Sequence, residues 1–326
     1  MTRAALTITV AFAAYTAISS VLALLLGVAW RAGYVAHSQA GAAGRANRLV
    51  ALRLTPSLIG LLLSVGVVLP VFLAFEPVRD NEPVGPIPIV LAGIGVLTLL
   101  TASCVAARAA YLTRRIKQQW WHSATALDIG PSVGVPAYVV DAPSPMVALV
   151  GVFSPRLIAA RTVIDACSAE ELAAIVAHER GHLRAHDNFK RWLLTCAPDV
   201  MRWTSAHASI VAAWRDLAEY AADDAATRGK EGARVDLAAL LVKIARLAPP
   251  RFATPAGVST FADKEGLDRR VRRLLAPGDQ QLPASWQLLA PALIAATLFA
   301  VGIAVTSPSN IKEVYEIVEL SVRFGR

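Results

Sequence analysis

Four stretches of this 326-residue chain carry no charged side chain over a length that can cross a bilayer. A hydrocarbon core about 30 Å thick needs roughly 20 apolar helical residues. Inside it, only helices and closed barrels satisfy every backbone polar group. The stretches run from Ala4 to Trp30, from Leu54 to Phe75, from Pro83 to Ala107 and, between Asp279 and Lys312, from about Trp286 to Thr306. Buried helices of a soluble core rarely stay uncharged for so long. The first run also exceeds the roughly 7–15 apolar residues of a cleaved signal core. Composition agrees: 55% of residues are hydrophobic, only 17% are charged, and the mean hydropathy is +0.50, whereas soluble domains average about a quarter charged residues. The expected fold is a predominantly α-helical integral membrane protein with four transmembrane helices and one polar domain between the third and the fourth.

The Lys/Arg bias of short flanking loops sets the orientation. Arg31, Arg45, Arg48 and Arg53 follow the first span; Arg108, Arg114, Arg115 and Lys117 follow the third; Arg269, Arg270, Arg272 and Arg273 precede the fourth. The loop after the second span is acidic, with Glu76, Asp80 and Glu82 against Arg79. Basic loops lie inside, so both termini are expected outside a bacterial-type cytoplasmic (inner) membrane. The expected domains are 1–118, three spans (about 4–30, 54–75 and 83–107) with a basic cytoplasmic loop; 119–283, a cytoplasmic domain; 284–306, the fourth span; and 307–326, a short extracytoplasmic tail. A net charge of +8 and a pI of 9.7 are then explained by anchoring at an anionic leaflet, and no direct nucleic-acid partner is needed. Cys104, Cys167 and Cys196 show no metal-type spacing and read as packing residues. The tail carries a helical apolar stripe (Ile311, Val314, Tyr315, Val318, Val322) on which an extracytoplasmic partner could dock, or which could lie on the membrane surface.

Within the polar domain, Val135–Val140 and Met146–Phe153 are β-rich runs around the turn-forming Asp141–Pro145, a hairpin or two strands of a small sheet, and Leu157-Ile158 begins a third. Ser168 followed by Glu171 is a capping box that starts a helix near Ala169. Further helical patterns lead through Trp203 toward Arg215, then cover Asp216–Thr227, Asp236–Leu247 and Leu267–Leu275.

The chemistry sits on the capped helix. His178-Glu-Arg-Gly-His182 is an HExxH motif. Residues four apart share one helix face, so both imidazoles can reach one zinc ion, while Glu179, turned about 100° away, flanks the metal and can take a proton from its water. His186 lies about 12 Å along the axis from His178, too far to join at metal-bond lengths of about 2.0–2.1 Å, and reads as a helix-end residue. Glu219 is the better third ligand. It shares a face with Asp216 and Asp223, which could otherwise be a solvated acidic face. Favouring the site, Ala218, Ala221, Ala222, Ala225 and Ala226 around it, and Ala173, Ala174, Ala177 and Gly181 on the motif helix, are small enough for two backbones to approach closely. Asp223 could receive the remote N–H of a ligand histidine; Asp187 could do related work or be a plain structural residue. Tyr220 and His207 are candidates to stabilise an oxyanion.

His178-Glu-Arg-Gly-His182, Arg184-Ala-His-Asp187 and the ExxxD pattern Glu219-Tyr-Ala-Ala-Asp223 together resemble the gluzincin membrane proteases. Gly151-Val-Phe-Ser-Pro-Arg-Leu-Ile158 resembles the strand entering that domain, and Leu267–Leu275 resembles its basic segment before the last span. With three spans before the domain and one after, the chain is most similar to the BlaR/MecR antirepressor peptidases (metallopeptidase family 56). The resemblance implies a cytoplasmic α+β gluzincin domain with a small β-sheet, zinc held by His178, His182 and Glu219, and Glu179 as general base. It also implies a protein or peptide substrate cut at a limited site in a signalling pathway, a transcriptional repressor being one example. Only residues 307–326 follow the fourth span, where the antibiotic-sensing receptors carry a large penicillin-binding domain, so direct β-lactam sensing is not expected. The rival readings are an HtpX- or CAAX-type membrane protease acting in quality control or processing, and a non-catalytic receptor or scaffold on the same fold.

Overall fold

The computed structural model describes residues 2–32, 41–75, 84–121, 124–127, 133–142, 145–228, 232–247 and 264–276, with Glu316 and Leu320. Three of its helical stretches are long and apolar enough to cross a membrane: α1 (Arg3–Arg31), α2 (Ala42–Leu63) carried through a π-helical turn (Ser64–Val68) into α3 (Leu69–Phe75), and α4 (Pro86–Trp121). The π-turn leads into Pro70, which has no N–H to return to the preceding turn. There the Ser64 hydroxyl donates to Ala11 O at 2.6 Å and ties α2 to α1. Large apolar side chains such as Leu24, Leu61, Val90 and Leu100 point outward from these helices, as a lipid-facing surface requires. The fourth expected span and the tail stripe lie outside the described residues.

Two helices overrun their expected ends. The second begins at Ala42 rather than Leu54, and α4 continues beyond Ala107, so Arg108, Arg114, Arg115 and Lys117 stand on a helix and not in a loop. Charge marks where the lipid-compatible segment stops but does not stop a helix, because Arg and Lys are good helix formers.

The small sheet has strand order β1-β2-β4-β3, with β1 Thr125–Ala126, β2 Ala137–Val140, β3 Val147–Val150 and β4 Arg156–Ala160. β2 and β3 do not form a hairpin. β4 lies between them, parallel to β2 and antiparallel to β3. The tight connection is the one after β3: Gly151 has φ 117°, and a Cβ there would meet Ser154 O at 2.7 Å. Such backbone is open only to glycine.

Helices follow: α5 (Arg161–Ala166), α6 (Ala169–Ala185), α7 (Asp187–Cys196), a 3₁₀ turn (Val200–Trp203), α8 (Ser205–Thr227), α9 (Ala233–Leu247) and α10 (Lys264–Leu275). The patterns read separately on either side of Arg215 are one helix, α8, capped at its start by the Thr204 hydroxyl. One core joins the sheet to α6, α9 and α10 through Leu157, Ile158, Ile175, Leu241 and Leu274. A second joins α1 and α2 to α7 and α8 through Leu49, Leu194, Ile210 and Trp214. Helix α8 thus packs on the membrane helices with its first half and reaches the sheet-bearing half of the domain with its second.

Arg53, read from the sequence as part of a basic loop, is buried in α2. Its guanidinium donates to both oxygens of Asp199 (3.0 and 2.7 Å) and to His207 Nδ1 at 2.8 Å, and the Ser57 hydroxyl also donates to Asp199. The four arginines near the chain's end are corrected likewise. Arg269, Arg270 and Arg273 pair with Asp216, Asp223 and Asp224 of α8, Arg269 with about half of its side chain exposed, and Arg272, the most exposed of the four, lies beside Asp268 of its own helix. Internal pairing, more than an anionic leaflet, accounts for these charges.

Candidate metal centre

Helix α6 opens with the expected capping box: the Ser168 hydroxyl accepts from Glu171 N–H, and the Glu171 carboxylate accepts from Ser168 N–H. It ends at His186, whose φ of 55° puts it in the left-handed region. That break turns the chain straight into α7, so His186 is a helix-end residue and Asp187 becomes the first residue of the next helix. There Asp187 points back to the motif, with Oδ2 2.7 Å from His182 Nδ1.

Helix α8 crosses α6 at close range. A methyl on Gly181 would lie 3.1 Å from Ala222 Cα and 3.4 Å from Ala225 Cβ, so of the small residues singled out in the sequence Gly181, Ala222 and Ala225 let the two helices meet. The crossing sets Glu219 opposite the motif. His178 Nε2 and His182 Nε2 are 3.2 Å apart, and Glu219 places Oε2 3.6 Å from the first and Oε1 3.6 Å from the second. The three candidate donor atoms all lie within 4.8 Å of one another, and His178 and His182 are buried.

These spacings fit a metal ion. Ligand atoms at about 2.0–2.1 Å from a tetrahedral zinc stand about 3.3–3.4 Å from each other. The remote ring nitrogens reinforce the fit, since His178 Nδ1 lies 3.0 Å from Asp223 Oδ1 and His182 Nδ1 faces Asp187. With each Nδ1 turned to a carboxylate, the ring's hydrogen belongs there, and both Nε2 lone pairs converge on the same point. At 3.2 Å the two Nε2 atoms can face each other only with a proton or another cation between them.

The electrostatics carry the same demand. Burial alone would lower the pKa of His182, but Glu219, the Asp187 contact and Glu179 outweigh it and hold the imidazole above its ordinary value. Burial alone would raise Glu219, but His182, Arg270 and the His178 hydrogen bond keep it well below the usual carboxylate range. In Glu179, which is 3% exposed, burial prevails over the pull of His182 and His178 and pushes the carboxyl up. A carboxylate raised toward neutrality, next to the ligand face, is suited to accept a proton and pass it on.

The sheet offers a rail beside this centre. β3 is an edge strand and packs against α6. Ala160 N–H bonds Met146 O, so every second carbonyl of β3 faces β4 and those of Val147, Leu149 and Gly151 face the edge that no described strand pairs with. The Asn188 amide, directly after Asp187, donates to Leu149 O (2.9 Å) and Gly151 O (3.0 Å).

His207 is not brought to the centre. Twelve residues before Glu219 on α8, it lies about 18 Å away along the axis and accepts from Arg53. Tyr220 lies beneath the Arg273 guanidinium, 5.0 Å from its ring centroid. Asn188 and Arg270 were not singled out in the sequence as site residues. The only signal for Asn188 was its place after Asp187, and Arg270 was one of four clustered arginines whose directions depend on how α10 docks.

Residues 132–274 match the model of the BlaR1 peptidase M56 family. No curated protein matches the chain at a significant level.

Proposed function

We take as premise that the chain belongs, through residues 132–274, to the BlaR1-type M56 peptidases, a family of metallopeptidases, and propose that it is a membrane-held zinc endopeptidase that cuts a cytoplasmic protein substrate in signal-dependent regulation. The observation that carries this reading is the convergence of His178 Nε2, His182 Nε2 and a Glu219 oxygen at metal-ligand spacing, each imidazole oriented from behind by a carboxylate. Two nitrogens and one carboxylate oxygen are a donor set suited to zinc in a hydrolytic site.

Bound there, zinc would supply a Lewis acid that brings the pKa of a coordinated water from about 15.7 to near 7. The chain's residues do the rest. Asp187 and Asp223 hold the two imidazoles in the tautomer that presents Nε2. Glu179 accepts a proton from the attacking water and delivers it to the leaving amine. The substrate backbone lies extended along β3, adding to its unpaired edge as another strand, and the Asn188 amide that covers this edge gives way where the substrate's own N–H groups claim Leu149 O and Gly151 O.

Placement at the inner face of a bacterial-type cytoplasmic membrane, with the peptidase domain in the cytoplasm and both termini outside, rests on the Lys/Arg-rich segments around Arg31–Arg48 and Arg108–Lys117. A repressor-like substrate rests on the family resemblance.

Glu179→Gln tests the reading. It keeps the buried shape and the three ligands but removes the base. Peptidase activity should fall by about 10²–10⁴-fold with zinc content intact, and cellular protein fragments lost in the variant identify the substrate. Undiminished cleavage by the variant would exclude the mechanism.

A further inference from the structure

The guanidinium of Arg270 touches the metal centre from outside the motif. It comes from α10, 47 positions beyond Asp223, and is 3% exposed. Its Nε and Nη2 donate to the two oxygens of Asp223 at 2.9 and 2.6 Å, and its Nη1 lies 3.0 Å from Glu219 Oε2. One planar fork therefore engages both the carboxylate behind His178 and the carboxylate expected to bind the metal.

Burying a guanidinium is costly, and an apolar side chain fills such a place as well or better when packing is the only need. Docking of α10 has other supports. Arg269 and Arg273 pair with Asp216 and Asp224. Leu274 is buried in the core with Leu267 and Val271 against it, and Arg234 of α9 donates to Leu274 O and Arg273 O at the helix's C-terminal end. What Arg270 adds is orientation. Its Nη1 sits closer to Glu219 Oε2, at 3.0 Å, than His178 Nε2 does at 3.6 Å, while Oε1 faces His182 Nε2.

We infer that Arg270 is a positioning residue of the metal centre: it holds Glu219 as a one-oxygen ligand and Asp223 behind His178, so that the site is complete only while α10 is seated on α8. This inference rests on the zinc peptidase reading. It makes the C-terminal arm, which leads on toward the last expected span, a place from which the centre can be assembled or dismantled. A lysine restores the charge but not the fork that grips two carboxylates at once.

The test measures zinc affinity of the full-length chain in detergent by competition with a chelating dye, alongside the visible spectrum of the cobalt-substituted protein. Arg270→Gln should weaken zinc by about 10–100-fold and alter the cobalt bands, and Arg270→Lys should recover part of the affinity. Arg273→Gln, on the same helix but paired with Asp224, which touches neither imidazole nor Glu219, should leave zinc affinity at the parent's value. Unchanged affinity in Arg270→Gln, or equal loss in Arg273→Gln, overturns the inference. Should Arg270→Gln fail to fold, Arg270→Lys decides, and affinity equal to the parent overturns it. A parent chain without stoichiometric zinc would instead remove the peptidase reading itself.

Discussion

Among the described residues the protein buries two arginine–aspartate networks, and they have opposite characters. On the membrane side, Arg53 and Asp199 form a set closed around the carboxylate: both its oxygens take hydrogen bonds from the same guanidinium nitrogen, Ser57 adds another, and Met201 N–H donates to Oδ1, while Arg53 Nη2 is buried without an acceptor. At the peptidase site, Arg270 serves Asp223 and Glu219, but two imidazole nitrogens and a carboxylate oxygen still converge on a common point. A closed network holds helices together. An open one creates a place for a cation and for chemistry, and the same residue types do both.

The difference can be broken from either side. Asp199→Ala strands the Arg53 charge among buried partners, and losing one member of a buried pair costs about 3–5 kcal/mol. Chemical denaturation in detergent should show that loss, while zinc affinity of the folded fraction stays at the parent's value. A fall in zinc affinity together with stability would merge the two networks into one.

Asp187→Asn probes the other side. It replaces the carboxylate behind His182 with an amide of the same shape, and zinc affinity should drop by about 10–100-fold with little change in denaturation midpoint. If stability fell and zinc affinity held, Asp187 would be a helix anchor at the α6–α7 break and nothing more.

The smallest effect concerns pH on the membrane side. Burial, then Arg53 and Arg202, push His207 down to about 4 from an ordinary value of about 6.5. Between those two values the unfolded chain takes up a proton that the native state refuses, so His207 makes stability fall as pH drops from about 6.5 and level off below about 4. His207→Gln keeps an acceptor for Arg53 but cannot charge. Its melting temperature should therefore decline less than the parent's between pH 7 and 4.5. Parallel curves would mean that His207 titrates normally.

Much of the peptidase helix was legible in the sequence because its signals are local. A capping box fixes where α6 starts, and i, i+4 spacing fixes which side chains share a face. The pairing of Glu219 with that face was legible through the alanines and glycine that permit close crossing, through Asp223 one turn on, and through the ExxxD resemblance. The strand order was not: β4 inserts between β2 and β3, and the glycine conformation at Gly151 accounts only for the tight turn from β3 into β4. The arginines were misread for a related reason. Composition shows that Arg53, Arg269, Arg270 and Arg273 lie near membrane segments, but whether each faces lipid headgroups or an aspartate 47 to 146 positions away depends on tertiary docking, which no local pattern encodes.

The central claim is that His178, His182 and Glu219 hold one zinc ion. X-ray absorption at the zinc edge of the purified full-length chain tests it most directly. The predicted result is one zinc per chain with two imidazole nitrogens and carboxylate or water oxygens at about 2.0–2.2 Å, one imidazole disappearing in His182→Ala. Sulfur scattering at about 2.3 Å, an imidazole count unmoved by His182→Ala, or no stoichiometric zinc at all would contradict it.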